Sequence, residues 1–152
     1  LVEVEDGEMT MTWAKERLDA LVAGTAITPP VVETLRLGTL REWGEGWIKK
    51  DWTPAPDLLN SDGSLFGGYI AALADQALAF AAMTMVPPDA AFRTINLQVN
   101  FIRVGRAHPL SIEARVVATT KRLITVRADF RAEDGKLIAE ASAQQLVAPF
   151  GT

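Results

Sequence analysis

Apolar and polar positions alternate strictly through the second half of the chain. Ile95, Leu97, Val99 and Phe101 alternate with Asn96, Gln98 and Asn100. Ile112, Ala114 and Val116 alternate with Glu113 and Arg115. Ile124, Val126, Ala128 and Phe130 alternate with Thr125, Arg127, Asp129 and Arg131. A period of two predicts half-buried antiparallel strands. Glu133-Asp134-Gly135-Lys136 reads as a hairpin turn, and Leu137–Val147 as the last strand. The first half reads differently. Ala14, Leu18, Leu21 and Val22 follow a helical period within residues 9–24, closed by Thr28-Pro29-Pro30. Residues 34–53 read as two strands around Trp43-Gly44-Glu45-Gly46, stopped by Thr53-Pro54-Ala55-Pro56. Asn60–Phe66 reads as a loop. Gly67 to about Met85 reads as one long helix, ended by Pro87-Pro88-Asp89. A helix apolar nearly all round must be wrapped. A curved antiparallel sheet folded around it is the simplest solution, an α+β arrangement.

At 152 residues the chain is expected to form one principal domain with a real core. It has no cysteine, which excludes disulfides, thiolate zinc sites and cysteine nucleophiles. Its single histidine, His108, sits in Arg106-Ala-His-Pro109 and reads as a loop residue, so neither a histidine triad nor a multi-histidine metal site is expected. A net charge of −4 argues against a general nucleic-acid partner. The start, LVEVEDGEM, lacks a basic region followed by an apolar one, so a cytoplasmic location is expected. The apolar run Tyr69–Val86 reaches the lower limit for a membrane span. Asp75 and Gln76 interrupt it and strands follow, so no span is expected.

Asp75 is the candidate with the most chemistry. Carboxylates are rarely buried unless paired or used, and an acid two turns into so apolar a helix is expected to sit in a site. Ahead of the helix, Asn60-Ser-Asp-Gly-Ser-Leu-Phe66 leads into the pair Gly67-Gly68. Glycines at a helix start leave N–H groups open at its electropositive end. An acid with such a donor site suggests carbonyl chemistry. Gly67 and Asp75 are eight residues apart, about 12 Å along a helix axis, so one carbonyl cannot touch both. Either the two serve different functions, or the site pairs Gly67 of one subunit with Asp75 of another, as a two-fold dimer with antiparallel helices does.

The segment Asn60-x-x-Gly63-x-x-Phe66-Gly67-Gly68-(x)6-Asp75 resembles the hotdog-fold thioesterases of the phenylacetate-degradation type. The resemblance continues through Thr94-Ile-Asn-Leu-Gln-Val-Asn-Phe101 and Asp134-Gly-Lys-Leu-Ile-Ala139, covering roughly residues 30–148. It implies a single hotdog domain over 29–152, about six strands around one helix, preceded by a helical extension over 1–28. It also implies hydrolysis of an acyl-CoA thioester by a homodimer or dimer of dimers, with no cofactor beyond the CoA of the substrate. Asn60 and the Gly67 N–H would hold the thioester carbonyl. Asp75 would be base or nucleophile, and Thr94 would assist the water. Phe66 stands where the family carries histidine. Phe-Gly-Gly occurs in related double-hotdog fatty acyl-CoA thioesterases.

For substrate binding, Phe66, Ile70, Leu73 and Met83 are candidate neighbours of an acyl tunnel between the two helices of a dimer, with Gly68 beside the carbonyl site. Arg103, Lys121 and Arg122, with Arg106, lie at strand ends. They read either as ordinary solvated charge or as a phosphate clamp for CoA, which guanidinium geometry suits. Plainer readings stand beside these: Asp75 on an exposed helix stripe beside Gln76, Gly67-Gly68 as a helix-entry turn, Asn60 as a turn residue, Thr94 as an ordinary strand residue, Asn96-x-Gln98-x-Asn100 as solvent-facing or part of a wet tetramer interface. The rival functions are non-catalytic acyl-CoA or lipid binding and enoyl-thioester hydration or dehydration.

Overall fold

In the computed structural model, residues 13–151 are described. Helices α1 (Trp13–Ala23) and α2 (Pro30–Thr34) come first. A short β1 (Glu42–Gly44) pairs with β2 (Trp47–Trp52). Then follow a single 3-10 turn at Pro56–Leu58, the central helix α3 (Gly67–Met83), and four long strands. These are β3 (Ala90–Phe101), β4 (Leu110–Thr119), β5 (Leu123–Ala132) and β6 (Leu137–Pro149). All six strands join one sheet in the order β1-β2-β4-β5-β6-β3, every pair antiparallel. The sheet wraps α3, as a hotdog fold does, and the N-terminal helix packs outside. No helix among the described residues is long and apolar enough to cross a membrane.

The alternation of the sequence becomes the two faces of this sheet. Ile112, Ala114, Ile124, Val126, Ala128 and Phe130 are buried against α3 together with Ala139, Ala141 and Ala143. From α3 come Ile70, Leu73, Ala74, Ala77, Leu78, Ala81 and Ala82. Alanines let the helix lie close to the sheet, and α3 carries no β-branched residue except Ile70. Not all of α3 is wrapped: Ala72, Gln76 and Ala79 are half-buried and Asp75 is exposed. That stripe faces the N-terminal segment.

Three details depart from the sequence pattern. Residues 34–41 are not strand: only Glu42–Gly44 pairs with β2, and α2 precedes it. The backbone turns at Arg36 (φ 50) and Gly38 (φ 71), which an extended strand does not allow. Val22 is exposed although its α1 neighbours Leu18 and Leu21 are buried. Residues 9–12 of the expected helix lie outside the described residues. Finally, β3 does not place Ile95 with Leu97, Val99 and Phe101. A β-bulge between Thr94 and Asn96 shifts the register, so Thr94 pairs with Gln145 and Asn96 with Gln144.

Strand β3 is a sheet edge and is 12 residues long. Ile95, Leu97 and Phe101 remain exposed along it, at 52%, 37% and 57%. A long apolar edge of this kind is normally covered.

Candidate functional site

The start of α3 is shaped by two rings. Phe66 precedes the helix in extended conformation, with no side-chain cap. Its carbonyl accepts from Tyr69 and Ile70 N–H. Among the described residues no acceptor is paired with the Gly67 or Gly68 N–H, so the helix end keeps open donors. A Cβ on Gly68 would collide with the Phe66 ring, and one on Gly67 would lie 3.1 Å from Phe101 Cζ. A side chain at either position would have to displace a ring, and the glycine pair also suits a close carbonyl approach. Phe66 itself is 55% exposed. It covers Gly68 and belongs to no core.

Before it, Asn60 organises the loop. Its Nδ2 donates to Ser64 Oγ at 3.0 Å and to the Leu65 carbonyl at 3.2 Å. Asp62 accepts from Ser64 N–H and Oγ–H, and these bonds hold its carboxyl below the usual carboxylate range. Leu59 and Leu65 close the loop by a β-bridge.

Two turns into α3, Asp75 Oδ1 lies 3.0 Å from Thr94 Oγ1. The bulge makes this contact possible, because it turns Thr94 toward the helix. Asp75 is not buried within one chain; it stands exposed at the mouth of a cavity of about 310 Å³. Helix α3 contributes Ala72, Asp75, Phe80 and Met83 to the walls, and β3 contributes Thr94. The opposite wall is Arg17 and Leu21 of α1, then Val31, Leu35 and Leu37. The segment from α1 through residue 38 therefore builds half of an apolar chamber beside the acid. Gln76 Nε2 donates to the Gly38 carbonyl at 3.0 Å and ties α3 to that wall. From below, the wholly buried Lys50 donates through Nζ to the carbonyls of Leu37 and Thr39. Burial pushes the Lys50 ammonium down to about 8, with Asp51 opposing.

A second cavity, about 350 Å³, opens at the start of α3. Gly67, Ile70, Phe101 and Arg103 line it. It shares no lining residue with the first. Within one chain, then, Asp75 and Gly67 belong to different cavities.

The remaining candidates separate accordingly. Met83 lines the Asp75 cavity and Ile70 the Gly67 cavity, while Leu73 is wholly buried in the core. Arg103 donates to the Leu137 carbonyl at 2.9 Å and edges the Gly67 cavity. Lys121 and Arg122 lie exposed in the turn between β4 and β5 and line neither cavity. His108 is an exposed loop residue, in a smaller basic groove with Arg103, Arg106 and Lys136.

Sequence reasoning missed Gln76, Lys50 and Gln145 as parts of the site. Gln145 left a signal. Ala139, Ala141, Ala143, Gln145 and Val147 are the inward positions of β6, and one amide stands among four apolar residues.

A family model described as the thioesterase superfamily matches residues 62–139, just over half of the chain. The chain belongs to the thioesterase superfamily. The match begins in the loop before Gly67 and ends in β6, so it contains α3, Asp75 and Thr94. Among solved structures, a phenylacetic acid degradation-related protein from Ralstonia eutropha is 27% identical, with a TM-score of 0.75 over 86% of this chain and 98% of that one. A thioesterase from Haemophilus influenzae shares the fold at 18% identity, with a TM-score of 0.76 over 95% of each chain. A Streptococcus mutans protein bound to acetyl-CoA shares it at 20% identity, with a TM-score of 0.67 over 72% of this chain and 87% of that one. No curated protein matches the sequence.

Proposed function

We propose that this thioesterase-superfamily chain hydrolyses an acyl-CoA thioester, with Asp75 as general base. The observation that carries this reading is the Asp75–Thr94 contact at the mouth of an apolar chamber. The acyl group enters that chamber. Asp75 takes a proton from water, and the water oxygen attacks the thioester carbon. The Gly67 N–H holds the oxyanion that forms. Collapse expels the CoA sulfur, which receives the proton back from Asp75. That CoA is the carrier is supported by structural neighbours solved with coenzyme A or acetyl-CoA.

The site is completed by a second subunit. Gly67 and Asp75 of one chain open into separate cavities, and the exposed edge β3 offers a surface where a two-fold partner brings the other chain's helix end to Asp75. Asn60 supports the loop before Gly67, and Arg103 stands beside the Gly67 cavity where a CoA phosphate passes.

A thiol-release assay over a panel of aliphatic and aromatic acyl-CoAs tests the reading. Turnover that falls by about 10² or more in Asp75→Asn supports it. Binding without turnover, unchanged in Asp75→Asn, replaces it with a non-catalytic acyl-CoA carrier, a reading that the exposed ring of Phe66 in place of a histidine favours.

A further inference from the structure

Gln145 has an unresolved place in the network around Asp75. It is wholly buried, and its Oε1 lies 2.9 Å from Thr94 Oγ1. The same Thr94 Oγ1 lies 3.0 Å from Asp75 Oδ1. A hydroxyl has one hydrogen and cannot donate to two oxygens. In this orientation Gln145 Nε2 is also buried without a partner, which is costly for an N–H donor. Turning the amide by half a turn removes the double donation and gives the N–H a partner, leaving in the unpartnered place a carbonyl oxygen, which tolerates it better. Nε2 then donates to Thr94 Oγ1, and the hydroxyl is left to donate to Asp75.

We infer that Gln145 is a positioning residue: its buried amide donates to the Thr94 hydroxyl and thereby aims that hydroxyl's single hydrogen at Asp75. The backbone is arranged for this. Thr94 and Gln145 are register partners across β3 and β6, and the bulge follows immediately after Thr94. Without the amide, the threonine hydroxyl is free to rotate toward other acceptors. With it, one rotamer is selected. Ile124, the partner of Gln145 on β5, is buried and apolar, so Thr94 is the polar group that faces the amide across either strand pair.

The inference rests on Asp75 being the working carboxylate, and two experiments separate the two ideas. The first needs no activity. The side-chain amide of Gln145 is assigned by ¹⁵N NMR in the wild type and in Thr94→Val. A moved Gln145 resonance with faster amide exchange in the variant is expected. An unmoved resonance with unchanged exchange overturns the inference even if the protein is an active hydrolase. The second is a kinetic cycle of Gln145→Leu, Thr94→Val and the double variant, each checked for folding by thermal melting. Gln145→Leu should lower kcat roughly tenfold, the order expected for losing one hydrogen bond beside an active group, with KM little changed. In the Thr94→Val background the same substitution should cost almost nothing. Equal losses in both backgrounds would show a structural role only. Thr94→Ser keeps the hydroxyl and should retain the Gln145 dependence.

Discussion

Gln76 Nε2 donates to the carbonyl of Gly38, so the helix that carries Asp75 is bonded directly to the segment that walls its cavity. Gly38 presents that carbonyl from a left-handed backbone conformation, φ 71, and a Cβ there would lie 3.3 Å from the buried Lys50 ammonium. Gly38→Ala should therefore destabilise the fold by about 1–2 kcal/mol. Urea denaturation of the two proteins measures it, and an unchanged midpoint would mean that the wall is not held in this conformation.

Lys50 should make stability depend on pH. Its folded-state pKa is about 8 against an ordinary value of 10.5. Between these values the unfolded chain holds the proton and the folded chain does not, so stability rises with pH across this window. Below about 8 both states hold it, and the burial cost is borne in full. In Lys50→Met the rise should be missing. Comparing the two proteins by urea denaturation at pH 7.5 and 9.5 isolates the lysine, because other groups contribute equally to both.

Mixing tests the composite site. Gly67→Val removes the close carbonyl approach, and Asp75→Asn removes the base. Each alone should be nearly inactive. In a mixed dimer one site carries both lesions and the other carries none. Random reassortment should restore about a quarter of wild-type activity. Verified mixed dimers with no recovery would place each complete site within one chain.

The edge strand predicts the assembly. Leu97→Arg puts a charge on an apolar face of β3 that is open in the single chain. Sedimentation should show smaller species than the wild type, and thiol release should fall with them. A variant that sediments and turns over like the wild type would remove β3 from the interface.

Acyl length should respond to the chamber. Met83 and Leu21 face each other's elements across it, from α3 and α1. Met83→Trp fills part of the volume and should shift preference toward shorter acyl groups, seen as a raised KM for long ones. An unaltered chain-length profile would move the acyl group elsewhere.

Much of this was legible in the sequence. The period-two stretches give β4 and β5 with their faces, the stretch after the 133–136 turn gives β6 as a strand, and the apolar run gives α3. The spacing from Gly67 to Asp75 places the two groups on one helix and too far apart for one carbonyl to touch both. What alternation cannot show is an interruption in pairing. The bulge at Ile95 depends on the partner strand, so alternation alone does not turn Thr94 toward the helix. The cavity wall was hidden for a related reason. Residues 28–38 have no strong period, and their conformation is fixed by distant groups, Lys50 from β2 and Gln76 from α3.

A strand offers only two sides, and membership alternates along it. Counted back from Leu97 without interruption, Ile95 would fall on the inner side and Thr94 on the outer one. The extra residue at the bulge reverses that parity for everything before it. Were Ile95 to pair with Gln145 in its place, the bulge would be lost and the threonine would turn away from its carboxylate. In this strand the chemistry is written in an odd number.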